Sequence, residues 1–288
     1  MKYFFFMLAA APLSVCCQTL VHAQVISKST QQAIPFATVG LVKQNNGTTT
    51  DEIGSFKIQC RSIEDSIIIS AVGFKTARVA VSVVLSARKI ELEENLVLLE
   101  EVSISWRNKA KPTTLNDFVH CPTNYYSVGL GTYRQVAQRF LAPRASMRLQ
   151  SIRLCKMAGK ATFRVRVYAM DSITGMPSTD LLSKELLINS SDKNVYIDLQ
   201  ENIVLPDRDF FIAVEWLFIS SNEFRVKAKI DRQKISYSNY APRLSFKKLT
   251  GIPTQNNCRM LNFNGSWQKP ENYDSNHVFM IAAELGSQ

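Results

Sequence analysis

The feature that most constrains this chain is the brevity of its apolar segments. Nearly all of them alternate apolar with polar residues, or are apolar throughout, and then stop at Gly, Pro, Asn or Asp. Such segments make strands, and the helical period is almost absent. In IPFATVGLVK (34–43), Ile34, Phe36, Thr38, Gly40 and Val42 share one face, and Pro35, Ala37, Val39, Leu41 and Lys43 share the other. Both faces are largely apolar, as in a core strand, and Pro35 sits at the start, where a missing donor is tolerated. Asn45, Asn46, Gly47 and Gly54 accept positive φ, so a turn region leads into SFKIQC (55–60), which directs Phe56 and Ile58 inward. DSIIISAVGF (65–74), ARVAVSVVL (77–85), RKIELEE (88–94) and LVLLEEVSIS (96–105) continue the series as predicted strands. Six to seven strands in roughly 80 residues describe a small β-sandwich.

The next segment, SWRNKAKPTTLNDFVHCPTN (105–124), has Pro112, Pro122 and little periodicity, and reads as a linker. Strand-like segments then follow one another, among them RQVAQRF, MRLQSIRLCKM, ATFRVRVYAM, NVYIDL, DFFIAVEWLFI, EFRVKAKI and HVFMIAAEL. Turn residues such as Thr174-Gly175-Met176-Pro177 separate them. Eight or more strands over roughly 160 residues predict a second, larger, jelly-roll-like sandwich.

The first half carries a resemblance. Ile34-Pro35-Phe36-Ala37-x-Val39, Asn46-Gly47-Thr48, Asp51-Glu52-x-Gly54-x-Phe56, Ile69-Ser70-x-Val72-Gly73-Phe74 and Leu99-x-Glu101-Val102 together look like the carboxypeptidase regulatory-like domain, a transthyretin-like sandwich common in exported proteins of the Bacteroidetes. The opening strand departs from the usual Gly-x-Val, reading Gln24-Val25-Ile26-Ser27. The second half resembles the uncharacterised sandwich that follows such domains in other Bacteroidetes envelope proteins. The expected fold class is all-β, with two tandem β-sandwiches: an N-terminal transthyretin-like one and a larger C-terminal jelly-roll-like one. The resemblance implies a fold more than an activity, since such domains stand before transporters and peptidases alike.

Residues 1–23, MKYFFFMLAAAPLSVCCQTLVHA, place Lys2 before an apolar run and end on Val21-His22-Ala23, the pattern of a secretory signal peptide. Leu13-Ser14-Val15-Cys16 looks a little like a lipobox, but with Val15 where a small residue is wanted. The expected plan is therefore a signal peptide (1–23), a regulatory-like sandwich (24–104), a linker (105–124) and a C-terminal sandwich (125–288). Export to the periplasm, the outer-membrane surface or the medium follows from the signal. It leaves Cys60, Cys121, Cys155 and Cys258, whose three possible full pairings the sequence does not distinguish.

The resemblance invites a search for peptidase chemistry. The chain has three histidines, His22, His120 and His277, and no His-x-x-Glu or other zinc-ligand spacing, so no metal site and no cofactor is expected. Cys121 adjoins His120, but neighbours in an extended segment point to opposite sides. Glu215, an acid within an apolar strand, would need a basic partner if it faced the core; the expectation is a solvated or groove face shared with Ala213 and Leu217.

Charge is distributed unevenly. Residues 24–103 hold eight Lys or Arg against nine Asp or Glu, and residues 104–288 hold 25 against 15. In FRVKAKI, Arg225, Lys227 and Lys229 lie opposite Phe224, Val226 and Ala228, and Lys234, Tyr237 and Tyr240 follow. These six residues, Arg225, Lys227, Lys229, Lys234, Tyr237 and Tyr240, are the candidate ligand-binding set. The expected function is a non-catalytic cell-envelope module for adhesion, scaffolding or partner binding. Glycan or polyanion binding through the basic domain is the alternative. A cell-envelope protein or a glycan is the expected partner, with peripheral membrane association open, and nucleic acid is disfavoured by export.

Overall fold

In a computed structural model of the chain, the structure describes residues 18–95, 112–130, 133–230, 233–248, 257–270 and 277–286. The strand predicted over 96–105 lies outside the described residues. Two β domains account for the rest, and among the described residues no helix is long and apolar enough to cross a membrane.

The N-terminal domain runs β1 (Thr19–Ser27), β2 (Thr38–Leu41), β3 (Asn46–Thr49), β4 (Ser55–Cys60), β5 (Ser66–Ser70), β6 (Ala77–Ala80), α1 (Val81–Ala87) and β7 (Lys89–Leu92). One sheet has the order β4-β1-β7, with β1 antiparallel to β4 and parallel to β7; the other is antiparallel, β3-β2-β5-β6. Val21, Val25, Phe56, Ile58 and Ile90 meet Val39, Leu41, Ile67 and Ile69 in a shared core.

Two expectations change here. ARVAVSVVL is a strand only to Ala80 and then turns into α1, because Val81 and Val84 bury at helical spacing, with Leu85 packed beside them and Val83 left exposed. Arg88, at φ 54, ends that helix in the left-handed region. The chain expected to leave with the signal is also structural. Thr19 to Gln24 pairs in register with Cys60 to Ser55, and Val21 and Ala23 are core residues, so a cut after Ala23 would remove half of β1.

The C-terminal domain comprises β8 (Thr113–Leu115), β9 (Tyr125–Val128), β10 (Tyr133–Leu141), β11 (Arg148–Cys155), β12 (Ala161–Met170), β13 (Pro177–Asp180), β14 (Leu186–Ser190), β15 (Asn194–Val204), β16 (Asp209–Trp216), β17 (Glu223–Ile230), β18 (Gln233–Lys248), β19 (Cys258–Asn262), β20 (Trp267–Gln268), β21 (His277–Phe279) and β22 (Ile281–Gly286). A large sheet, β13-β12-β16-β10-β19-β20 with β14 also on β12, faces the sheet β15-β11-β22-β8 across one apolar core. Consecutive strands β10, β11 and β12 change sheets, as do β15 and β16, which is the sheet switching of a jelly roll. The third sheet, β17-β18-β21 with β9 on β18, extends to one side.

Part of the expected linker belongs to this domain. Thr113–Leu115 pairs with β22, the Asn116 side-chain amide donates to the carbonyls of Phe279 (3.1 Å) and Ile281 (2.6 Å), and Cys121 is disulfide-bonded to Cys155. A three-residue strand has too few positions to show a period. Cys60 and Cys258 keep their thiols, each buried in a different domain.

The two domains pack directly against each other. Val39 and Leu41 of β2 face the N-terminal core, while Gly40 lies opposite Gly47 of β3 on the other face, under Phe263 of the C-terminal domain. A Cβ on Gly40 would stand 2.2 Å from the Phe263 carbonyl oxygen, and one on Gly47 1.8 Å from its ring. The backbone approach therefore requires glycine at both positions. Beside them, the Phe218 amide donates to the Thr49 hydroxyl (3.0 Å) and the Phe263 amide to the Asn45 side-chain oxygen (3.0 Å).

A chain beginning at Gln24 is expected to melt at a lower temperature than one beginning at Thr19, because burial of Val21 alone contributes about 1.5–3 kcal/mol. Equal melting temperatures would show that the first residues of β1 add nothing.

Candidate functional site

The polar centre of the molecule lies where the outer face of the large sheet meets the N-terminal domain. FRVRVYAM alternates so that Phe163, Val165 and Val167 enter the C-terminal core and Arg164, Arg166 and Tyr168 point outward. In DFFIAVEW the same rule sends Phe211, Ala213 and Glu215 to that outer face. Arg164 and Glu215 are register partners, and Gln135 lies opposite Glu215 on the other side. The β10–β19 register shifts between Tyr133 and Gln135, and such a bulge re-aims a side chain; Arg134, the extra residue, joins the same cluster.

Glu215 has no exposed surface. One oxygen accepts from Arg164 Nη1 (2.9 Å) and Arg166 Nε (3.4 Å); the other accepts from the Thr38 hydroxyl (2.7 Å) and lies 3.7 Å from Arg134 Nη1. Arg164 also donates to the Phe36 carbonyl (2.8 Å) and to Glu185 (2.7 Å), Arg166 to Asp180 (2.5 Å), and Arg134 to Ser70 (3.1 Å). Thr38, Phe36 and Ser70 belong to the N-terminal domain, so one buried ionic network ties the domains together. Burial alone would raise the Glu215 carboxyl, but Arg164, Arg166 and Arg134 outweigh it and hold it well below the usual carboxylate range. Burial raises Asp180, only partly offset by Arg166, and pushes the Tyr168 hydroxyl up to about 12.

The expected solvated face for Glu215 is thus corrected. Alternation placed it outside the C-terminal core, and the N-terminal domain then covers it. The guanidinium groups fix it as an anion, which removes it as a proton donor. A cleft of about 420 Å³ opens beside it between the domains, lined in part by Ser70, Phe74, Arg134, Arg166, Tyr168 and Asp180. Cys121, in its disulfide, has no thiol to act as a nucleophile. Among the described residues, no three His, Cys, Asp or Glu side chains gather as a metal site.

The candidate binding residues lie on a ribbon formed by β17 and β18. Arg225 pairs with Ser238, Lys227 with Ser236 and Lys229 with Lys234; between them, Val226 pairs with Tyr237 and Ala228 with Ile235. Directly opposed residues share a face. Arg225, Lys227, Lys229 and Lys234 therefore stand together, all exposed. Tyr237 is 44% exposed but lies on the opposite face. Tyr240 is buried at the foot of the ribbon, its ring 4.9 Å from that of Phe218. The structure brings four of the six residues together; antiparallel register puts Tyr237 behind them, and Tyr240, on their side by register, is buried against Phe218.

Sequence reasoning did not assign Arg134, Arg164, Arg166 or Thr38 to a site. The alternation of FRVRVYAM carried a signal for the two β12 arginines; the bulge at Arg134 and the domain contact at Thr38 had none.

Comparison with known proteins bears on the first domain. Residues 21–104 match the family model of the CarboxypepD_reg-like domain. The chain is thus an all-β protein built from a regulatory-like sandwich of that class followed by a larger β domain. No curated protein matches it. Two solved structures of Cwp84, a surface-layer-associated cysteine protease of Clostridium difficile, align weakly. The form after propeptide cleavage has a TM-score of 0.40 at 13% identity, covering 78% of this chain and 52% of that one. The form with its cysteine protease and lectin-like domains has a TM-score of 0.39 at 11% identity, covering 88% and 59%. The chain spans little more than half the length of either.

Glu215→Gln is expected to cost about 3–5 kcal/mol near neutral pH, because it leaves three arginines around a neutral amide. The folded carboxyl titrates below its ordinary value of 4.5, so the unfolded chain takes up the proton first as pH falls. The stability contributed by Glu215 is complete above that value and is lost as pH falls below it. Urea unfolding of the two proteins from about pH 6 to about pH 3 should therefore show the gap between them narrowing on acidification. A gap independent of pH would contradict the ionised, paired state.

Proposed function

We propose that this protein is a non-catalytic, exported module of the cell envelope that binds a partner through its C-terminal domain. The observation that carries this reading is the ribbon, where Arg225, Lys227, Lys229 and Lys234 are displayed on one exposed face. Several other arginines of the C-terminal domain are paired with carboxylates instead: Arg164 and Arg166 in the domain seam, Arg139 with Asp209 and Arg153 with Asp117. The matched regulatory-like domain supports a structural role for the first half, and the fixed ionisation of Glu215 argues against acid catalysis at the one buried carboxylate the sequence singled out. Export is supported by Lys2 and the apolar run that precede β1 in the sequence. Adhesion or scaffolding fits a body in which two domains are joined by a buried ionic network and one carries a projecting binding element.

Glycan or polyanion binding is a second reading, favoured by the same four cations. Elution from a heparin column tests for a functional cationic face. The triple variant Arg225→Ala, Lys227→Ala, Lys229→Ala is expected to elute at markedly lower salt than the wild type, since each exposed cation adds to a screened attraction. Identical elution would remove the ribbon as the binding element.

A further inference from the structure

The ribbon has a second face that a purely ionic ligand does not use. Behind the cations, Val226 and Tyr237 form one cross-strand pair and Ala228 and Ile235 the next, with Ile235 36% and Tyr237 44% exposed. The paired contact with β9 starts at Tyr240, so the outer part of the ribbon extends beyond that strand. An apolar row that reaches water is unfavourable, and so is the direct opposition of Lys229 and Lys234, two like charges across one rung. Both features persist on one short element.

We infer that the β17–β18 ribbon is a docking element for an anionic lipid surface, with Val226, Ala228, Ile235 and Tyr237 entering the apolar boundary and Arg225, Lys227, Lys229 and Lys234 meeting the phosphates. This rests on the reading that the ribbon is the binding element, and names its ligand. The separation of the faces decides between lipid and glycan. A sugar chain held by cations and stacked on an aromatic ring needs both on one surface, whereas here Tyr237 lies on the side away from the lysines. A bilayer interface satisfies both faces at once: an amphipathic element lies at headgroup depth, burying its apolar side while its long cationic side chains reach the phosphates. Phosphate charge also relieves the opposition of Lys229 and Lys234. Tyrosine, with an apolar ring and a polar tip, suits that depth.

The test is co-sedimentation of the full chain with phosphatidylcholine vesicles, with and without phosphatidylglycerol. Binding is expected only to the anionic vesicles. The Arg225→Ala, Lys227→Ala, Lys229→Ala variant should lose about 100-fold in partitioning, at roughly fivefold per cation near a charged surface. The Ile235→Ser, Tyr237→Ser variant should also lose vesicle binding while keeping its retention on heparin. In an otherwise unaltered chain, Tyr237→Trp should show blue-shifted emission with anionic vesicles, which reports insertion even if a multiple variant folds poorly. Vesicle binding unaffected by the apolar-face substitutions, with no Trp shift, overturns the inference. Ribbon-dependent retention on heparin without vesicle binding overturns the lipid assignment and leaves the binding reading intact. Absence of both overturns the two together.

Discussion

A carboxylate moved out of water costs several kcal/mol unless cations and donors replace its lost hydration. Glu215 is such a carboxylate, and the replacements come from both domains: Arg134, Arg164 and Arg166 from the large sheet and Thr38 from β2. Neither domain alone completes the set. The network adds little net stability by itself, because desolvation offsets much of its attraction. Its stronger effect is on geometry, since another docking of the domains would strand a buried charge. Around it, the flat Gly40/Gly47 pair accepts Phe263, and Arg164 reaches the Phe36 carbonyl.

This arrangement explains why β2 is buried on both sides. One side faces its own core and the other the second domain, so a strand in a small sandwich carries the pattern of a strand in the middle of a larger body. The loop after β5, with Phe74, lines a cleft whose other wall is Arg134, Arg166 and Asp180. The proposed binding surface lies elsewhere, on the β17–β18 ribbon. The seam and the cationic ribbon are thus separate parts of the molecule.

Much of the architecture was readable in the sequence because period two is a local property. The strands from Ser55 to Cys60 and from Phe163 to Val167, and the cationic row of β17, all follow from alternation. What escaped was non-local. Ala77 to Leu85 suits both periods, and contact with the core chose a helix for its second half. Thr19 to Ala23 read as the end of a leader because small residues mark both a cleavage site and a strand packed against β4. Thr113 to Leu115 was too short to show a period. Glu215 was recognised as an acid needing a partner, but which surface would cover it depended on a second domain. Tyr237 was misplaced because pairing register puts it beside Val226, and Tyr240 because packing against Phe218 buries it.

Differential scanning calorimetry of the intact chain tests the central claim most directly. If the Glu215 network and the Phe263 contact join the domains into one cooperative unit, a single transition is expected, with van't Hoff and calorimetric enthalpies equal. Two separable transitions, with the second unaffected when the first domain has melted, would contradict it.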